Sequence, residues 1–164
     1  MTDERRQVVS GTVDAPPEAV FAVLADPSRH SEIDGAGMCQ GCPTGPITGV
    51  GQSFVMDMYR DGLGKYSIRN EVSAFEPGRR IAWRPGPEVM SPEIEGLLGD
   101  ITPGGHTWSW ELEPSGDGGT QITHSCDWST VKDERFGAFF PFITTEEMSG
   151  TVAALGAATN RGRT

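Results

Sequence analysis

The chain has 164 residues, enough for one sizeable core, and 13 Lys plus Arg against 23 Asp plus Glu give it a net charge of -10. That charge repels nucleic-acid phosphates and anionic membrane surfaces alike, which excludes nucleic acid as the expected partner. No segment approaches the ~20 apolar residues of a membrane span, the charged start "MTDERRQVV" has no signal-like apolar run, and three cysteines make no disulfide framework, so the expectation is one cytoplasmic domain over residues 1–164 without membrane insertion.

In "RRQVVSGTVDA", Val9, Gly11 and Val13 share one parity and predict a first strand. Asp14 then stands near an N-cap, Pro16 and Pro17 fill a first turn, and Val20, Phe21 and Leu24 share a helical face. A second short helix is predicted after Pro27. The next stretch, "DGAGMCQGCPTGPITGVGQ", is so rich in Gly and Pro that no regular structure is predicted before about Ser53.

Two motifs in this loop are weighed against chemistry. Cys39 and Cys42 have Cys-x-x-Cys spacing, but a closed zinc site needs four ligands, and His106 and Cys126 complete it only if the loop folds over the sheet end. A thioredoxin-like pair would open a helix. Two reduced loop thiols, with no metal and no cofactor, are the expectation. "GVGQSF" starts like a dinucleotide fingerprint, yet Phe54 stands where the third glycine belongs and a strand follows, which rules out nucleotide binding on this motif.

From Ser53 the alternation predicts strands. Phe54, Met56 and Met58 share one face of "SFVMDMYR". Tyr66, Ile68, Asn70 and Val72 oppose Lys65, Ser67, Arg69 and Glu71, and Ile81 pairs with Trp83. "DGLG" joins the first two strands as a hairpin. The segment 85–105 is too long for a hairpin; a short helix is predicted after Ser91 with Ile94, Leu97 and Leu98 facing inward, either a lid over a cavity mouth or a surface excursion.

Trp108, Trp110 and Leu112 then alternate, "SGDGG" closes a second hairpin, and "QITHSCDWS" puts Ile122, His124, Cys126 and Trp128 inward and Thr123, Ser125 and Asp127 outward. Phe136, Phe139 and Phe140 either plug the core's edge or rim an entrance. Thr144 and Glu147 form a capping box, and Met148, Val152 and Leu155, with Ala153 and Ala154 beside them, give a final helix one apolar stripe. A strand, two helices, a meander of five or six strands and a long helix is an α+β order.

The segments "VSGTVDAPPEAVFAVLADPSRHSEIDG", "EVSAFEPGRRIAWRP" and "THSCDWS" resemble the START/Bet v-like (SRPBCC) helix-grip superfamily, in particular its bacterial polyketide cyclase/dehydrase branch. The resemblance implies a helix-grip fold: a curved antiparallel sheet wrapped around a long C-terminal helix, with two short helices after the first strand. It also implies an apolar cavity lined by the inner strand faces. Similar scaffolds include cyclases and aromatases, lipid and hormone carriers, oxygenase domains and co-chaperones. The second helix has Ile33 where relatives often carry tryptophan.

Carried over residue by residue, the resemblance makes Phe54, Met56, Met58, Ile68, Trp83, Trp108, Trp110, Ile122 and Trp128 ligand-binding positions. His124, Tyr66 and Asn70 form the polar minority to which catalytic roles fall. With the two inner faces matched across "SGDGG", only even registers work, and either plausible one sets Trp108 or Trp110 across from His124. An indole wall desolvates the imidazole and keeps it neutral, so that it serves as a general base while Tyr66 or Asn70 hydrogen-bonds to a substrate carbonyl. Enolisation, aldol closure or dehydration fit that arrangement.

A buried histidine that only supports its neighbours is the plain alternative. Two functions follow: binding a hydrophobic, polyketide- or lipid-like small molecule with cyclisation or dehydration of it, or a non-catalytic carrier or sensor of such a ligand. A co-chaperone-like module ranks last, because Arg69, Glu71, Glu111 and Asp127 on the outer sheet face are ordinary solvated residues.

Overall fold

The computed structural model describes residues 5–161. Seven antiparallel strands form one curled sheet, a half-barrel closed by a C-terminal helix, which is the helix-grip fold. The strands are β1 (Arg6–Val13), β2 (Cys39–Gly41), β3 (Ser53–Arg60), β4 (Gly64–Glu76), β5 (Arg80–Val89), β6 (Thr107–Pro114) and β7 (Thr120–Asp127). Their order in the sheet is β1-β7-β6-β5-β4-β3-β2.

Six of the seven strands are the ones named from the sequence, and the seventh, β2, falls inside the loop expected to be structureless. Cys39 pairs with Met58 on the edge of β3, so a three-residue strand needs only an open ladder to join, not a propensity of its own. The strand "RRIAWR" also runs on to Val89, through Pro85 and Pro87. Both prolines pair with β4, while the β6 ladder ends at Trp83 and Trp108, so their missing N–H groups fall on a free edge. Ser125, expected to be wet, is buried, because β7 lies between β1 and β6 and pairs Ser125 with Val8 and Ser109.

The helices are α1 (Pro17–Leu24), α2 (His30–Ile33), reached through a 3-10 turn at Pro27–Arg29, α3 (Pro92–Leu98), α4 (Glu134–Gly137) and α5 (Thr145–Arg161). Asp14 lies three residues before α1; the N-cap position is Pro16, which offers no side-chain acceptor. Ser91 caps α3 by accepting from the Ile94 amide. On α5 the capping box is complete: Thr144 Oγ1 accepts from the Glu147 amide at 3.0 Å, and Glu147 Oε1 accepts from the Thr144 amide at 2.9 Å. Met148, Val152, Leu155 and Ala158 are the buried stripe; Ala153 points to solvent.

Because β1 and β2 are opposite edges, residues 14–38 must carry the chain across the concave side, and α1 and α2 do so against α5. At one end of the concave face Val13, Leu24, Ile81, Leu112, Ile122 and Leu155 form a close-packed core. Glycine sets how near α5 can come. A Cβ at Gly11 would stand 2.8 Å from Val152 Cγ1, and one at Gly35, just after α2, would stand 2.2 Å from the Glu147 carbonyl oxygen.

The Gly35 amide also donates to Thr151 Oγ1 at 2.9 Å. Gly35→Ala is therefore expected to push the α2 turn off α5, costing about 2 kcal/mol and lowering Tm by roughly 5 °C, as overpacking does where backbone cannot yield. Thermal unfolding checks it; a Tm within a degree or so of the parent would refute the contact.

Candidate functional site

Beyond the packed end, the concave face stays open as a cavity of about 310 Å³. Its walls are the inner positions of the strands: Phe54, Met56 and Met58 from β3, Tyr66, Ile68 and Asn70 from β4, Trp83 from β5, Trp108 and Trp110 from β6, and His124 from β7. Two expected positions are elsewhere. Ile122 is wholly buried in the packed core opposite Leu112, because the strand passes under α5 at that point. Trp128 has left the strand and stacks on Phe140, with ring centroids 5.2 Å apart.

Several wall residues escape the alternation argument. Ile94, Leu97 and Leu98 of α3 close one side, and Ser91 Oγ donates to the Leu63 carbonyl, which ties α3 to the β3–β4 hairpin. The segment 85–105 is thus part of the cavity wall. Phe136 and Phe142 flank the wall, so of the phenylalanine cluster only part reaches the cavity. His30 and Ile33 enter from α2. Arg60 and His106 carried a readable signal: Arg60 shares the parity of Phe54, Met56 and Met58, and His106 that of Trp108 and Trp110.

His124 pairs directly with Trp110, whose ring lies 3.7 Å away at 15°, and Trp108 stacks on its other flank at 5.4 Å and 22°. Its Nδ1 is 3.1 Å from the Ser109 carbonyl oxygen. A carbonyl only accepts, so Nδ1 carries the proton and Nε2 keeps its lone pair. Burial pulls the imidazole pKa down to about 4, against a smaller upward effect of the Ser109 bond, so the ring is neutral at pH 7.

The chain's other two histidines share the cavity. His30 donates from Nε2 to the Leu24 carbonyl at 2.9 Å and stacks on Trp83 at 5.4 Å; burial lowers its pKa. His106 sits against Phe140 at 4.9 Å and Phe136 at 5.8 Å, and burial lowers its pKa to about 4. Its Nδ1 is buried with no hydrogen-bond partner. Three imidazoles thus lie in one wall, uncharged.

The remaining polar groups lie toward the β2–β3–β4 side. The Asn70 amide makes only long bonds, 3.4 Å to the Ile68 carbonyl and 3.5 Å to that of Phe54. The Tyr66 phenol is pushed up to about 12 by burial first, then by Cys39, with Arg60 pulling the other way and Asp34 adding to the rise. Burial and Asp34 push the Cys39 thiol up as well. Asp34 itself accepts from the amides of Ala36, Met38 and Cys39 and so caps the turn into β2.

Tyr66, Asn70 and His124 face one cavity but do not hydrogen-bond to one another. β4 and β7 are three strand spacings apart, about 14 Å along the sheet. Among the described residues no three His, Cys, Asp or Glu side chains gather as a metal site, and no helix is long and apolar enough to cross a membrane. Cys42 Sγ lies 3.2 Å from Thr44 Oγ1, at the loop surface.

The chain is 31% identical over 133 residues to the protein Rv0088 of Mycobacterium tuberculosis strain H37Rv, covering 80% of this chain and 51% of that protein. It therefore spans about half the length of the curated relatives it matches. In fold it is similar to the major latex-like protein 151 of Panax ginseng, with a TM-score of 0.65 at 14% identity over 94% of this chain and 96% of that one. It is also similar to DynU16, a protein of the dynemicin biosynthetic locus, with a TM-score of 0.62 at 21% identity over 98% of this chain and 49% of that one. The model of one family, described as polyketide cyclase/dehydrase and lipid transport, matches residues 5–160. The chain belongs to that family, within the START/Bet v-like superfamily.

Proposed function

We propose that this protein binds a hydrophobic small molecule, polyketide- or lipid-like, inside the cavity. The observation that carries the reading is the wall itself: aromatic and methionine side chains around about 310 Å³, interrupted by a few polar groups whose hydrogen-bonding capacity the protein leaves partly unused. Apolar area supplies affinity, and sparse polar atoms fix orientation. Trp83 and Trp108, both part-exposed, offer ring surface suited to fused or conjugated rings, while Trp110, 2% exposed, is stacked on His124. Phe54, Met56, Met58 and Ile68 supply the adaptable remainder, while Ile122 and Trp128 support the wall from behind.

A second reading, cyclisation or dehydration of the ligand, rests on His124. Its Nδ1–H is held by Ser109, so the neutral ring offers Nε2 as an acceptor, with Tyr66 or Asn70 available to a carbonyl at the other side. A pKa of about 4 makes His124 a weak base, which favours orientation of a ligand hydroxyl over abstraction of a carbon-bound proton. Binding without turnover, as in a carrier or sensor, is therefore the primary function proposed.

An apolar aromatic dye is expected to quench tryptophan fluorescence saturably, with Kd in the micromolar range or tighter. Titrations that stay linear across a broad apolar library would remove the cavity reading.

His124→Phe keeps the stacked ring and removes both nitrogens. If the ring orients or catalyses, a hydroxylated ligand loses roughly tenfold in affinity, or turnover of a true substrate falls by roughly 10²- to 10⁴-fold, while apolar dyes bind as before. Equal losses for all ligands together with a lower Tm would reduce His124 to a structural role.

The buried imidazoles also make stability depend on pH. His106 and His124 titrate near 6.5 when unfolded and near 4 when folded, so between those values the unfolded chain binds more protons and stability rises with pH. The stabilisation is present above about pH 6.5 and is lost toward pH 4, by on the order of 3 kcal/mol per ring. His30 acts with the same sign. Urea unfolding at stepped pH measures the slope, and His124→Phe should flatten it; an unchanged slope would mean the ring is not neutral in the fold.

A further inference from the structure

The wall contains one cation among the described residues, Arg60, at the end of β3. Its Nη1 donates to the Phe142 carbonyl at 3.1 Å and touches Met38 Sδ at 3.4 Å. Among the described residues no ion pair involves it, and its Nε and Nη2 have no hydrogen-bond partner. A half-buried guanidinium held by two neutral acceptors keeps unused donors in a fixed fork. On the surface, Arg69 pairs with Glu88 and Arg135 with Asp100 and Asp133, while Arg6, Arg79, Arg80 and Arg84 have no ion pair among the described residues; what sets Arg60 apart is its place in the cavity wall.

Tyr66 stands beside it. Arg60 is directly opposite Gly64, which brings no side chain, so Tyr66 is its diagonal neighbour on the same face and within reach of so long a side chain. The Tyr66 hydroxyl makes no hydrogen bond to the described residues, although Tyr66 lines the cavity. The guanidinium N–H groups and the phenol O–H are therefore neighbouring donors on one strand face, at the β3 end of a largely apolar wall.

Resting on the binding function proposed above, we infer that the ligand is an amphipathic acid, whose carboxylate is received by Arg60 and Tyr66 while its apolar body lies along Met58, Met56 and the tryptophans. Donors that meet a carboxylate form charge-assisted bonds, and the arginine fork fits its two oxygens. Two groups oppose an anion here: Glu93, whose Oε2 lies 3.4 Å from where a Cβ on Gly64 would stand, opposite Arg60, and Asp34, whose oxygens are occupied by the amides of Ala36, Met38 and Cys39. With those carboxylates nearby and a chain charge of -10, preference for an acid depends on Arg60 alone.

Naphthylacetate and naphthylacetamide share a body and differ in the head, so their binding at ~pH 7.5, where the acid is ionised, isolates the head contact. The parent protein should bind the acid at least ~10-fold tighter than the amide. Arg60→Gln should invert the order, Arg60→Lys should keep part of the preference, and Tyr66→Phe should trim it by a few-fold. Should Arg60→Gln fail to fold, the parent's own acid-to-amide ratio and the Arg60→Lys value decide. An amide that binds the parent as tightly as the acid, or a preference that survives Arg60→Gln, overturns the inference and leaves the cavity function standing. Failure of both probes and of apolar dyes would overturn both.

Discussion

A sheet that curls round one helix encloses more concave surface than that helix can cover. α5 has 17 residues and so is about 26 Å long and ~10 Å across, whereas β4 alone has 13 residues, about 43 Å of extended chain, and seven strands span about 29 Å. The close contacts at Gly11 and Gly35 seat α5 over β1 and α2, toward one edge of the sheet. What lies beneath it packs to core density; what lies beyond it does not. The cavity is the remainder of that geometry, and every property of the site follows from which side chains fall in the remainder.

Two consequences follow for the polar groups there. An imidazole among indoles must remain uncharged, and its N–H must find an acceptor that the sheet or the adjoining helix already owns. His124 takes Ser109 and His30 takes Leu24, both backbone carbonyls, so each ring is fixed in tautomer without a carboxylate. His106 has no such acceptor and is caged by phenylalanines instead. Arg60 is the opposite case: its long side chain reaches the rim, where it donates to the Phe142 carbonyl. The cavity is thus graded, from neutral rings inside to a single cation at its β3 end.

Much of this was legible in the sequence because strand parity is a two-state code. The inner faces of β3, β4, β6 and β7 follow from alternation, and parity limited the partner of His124 to Trp108 or Trp110; the structure selects Trp110. Parity says nothing about depth along a strand. Ile122 and His124 share a face, yet one lies under α5 and the other beyond it, so the first is core and the second wall. Nor does it reach the segments that fold over the mouth: α3, the phenylalanine segment and α2 are placed by tertiary contact, and β2 exists because β3 offered an edge. His30 was missed for the same reason, since a four-residue helix has no periodicity to read.

Scaffolds of this kind serve cyclases and carriers alike because the apolar wall is common to both tasks and chemistry enters only through the few polar atoms set into it. In this chain Tyr66, Asn70 and His124 make no hydrogen bond to one another. His124 is three strands from Tyr66 and Asn70, and the deep imidazoles are poor bases. Convergence at one reacting atom is what turns a binding wall into an active site. Dispersed groups instead read a ligand along its length, one at the head and others along the body. That distribution suits selective capture of an elongated amphipathic molecule better than proton transfer at a single carbon, and it is the physical reason for ranking binding ahead of turnover.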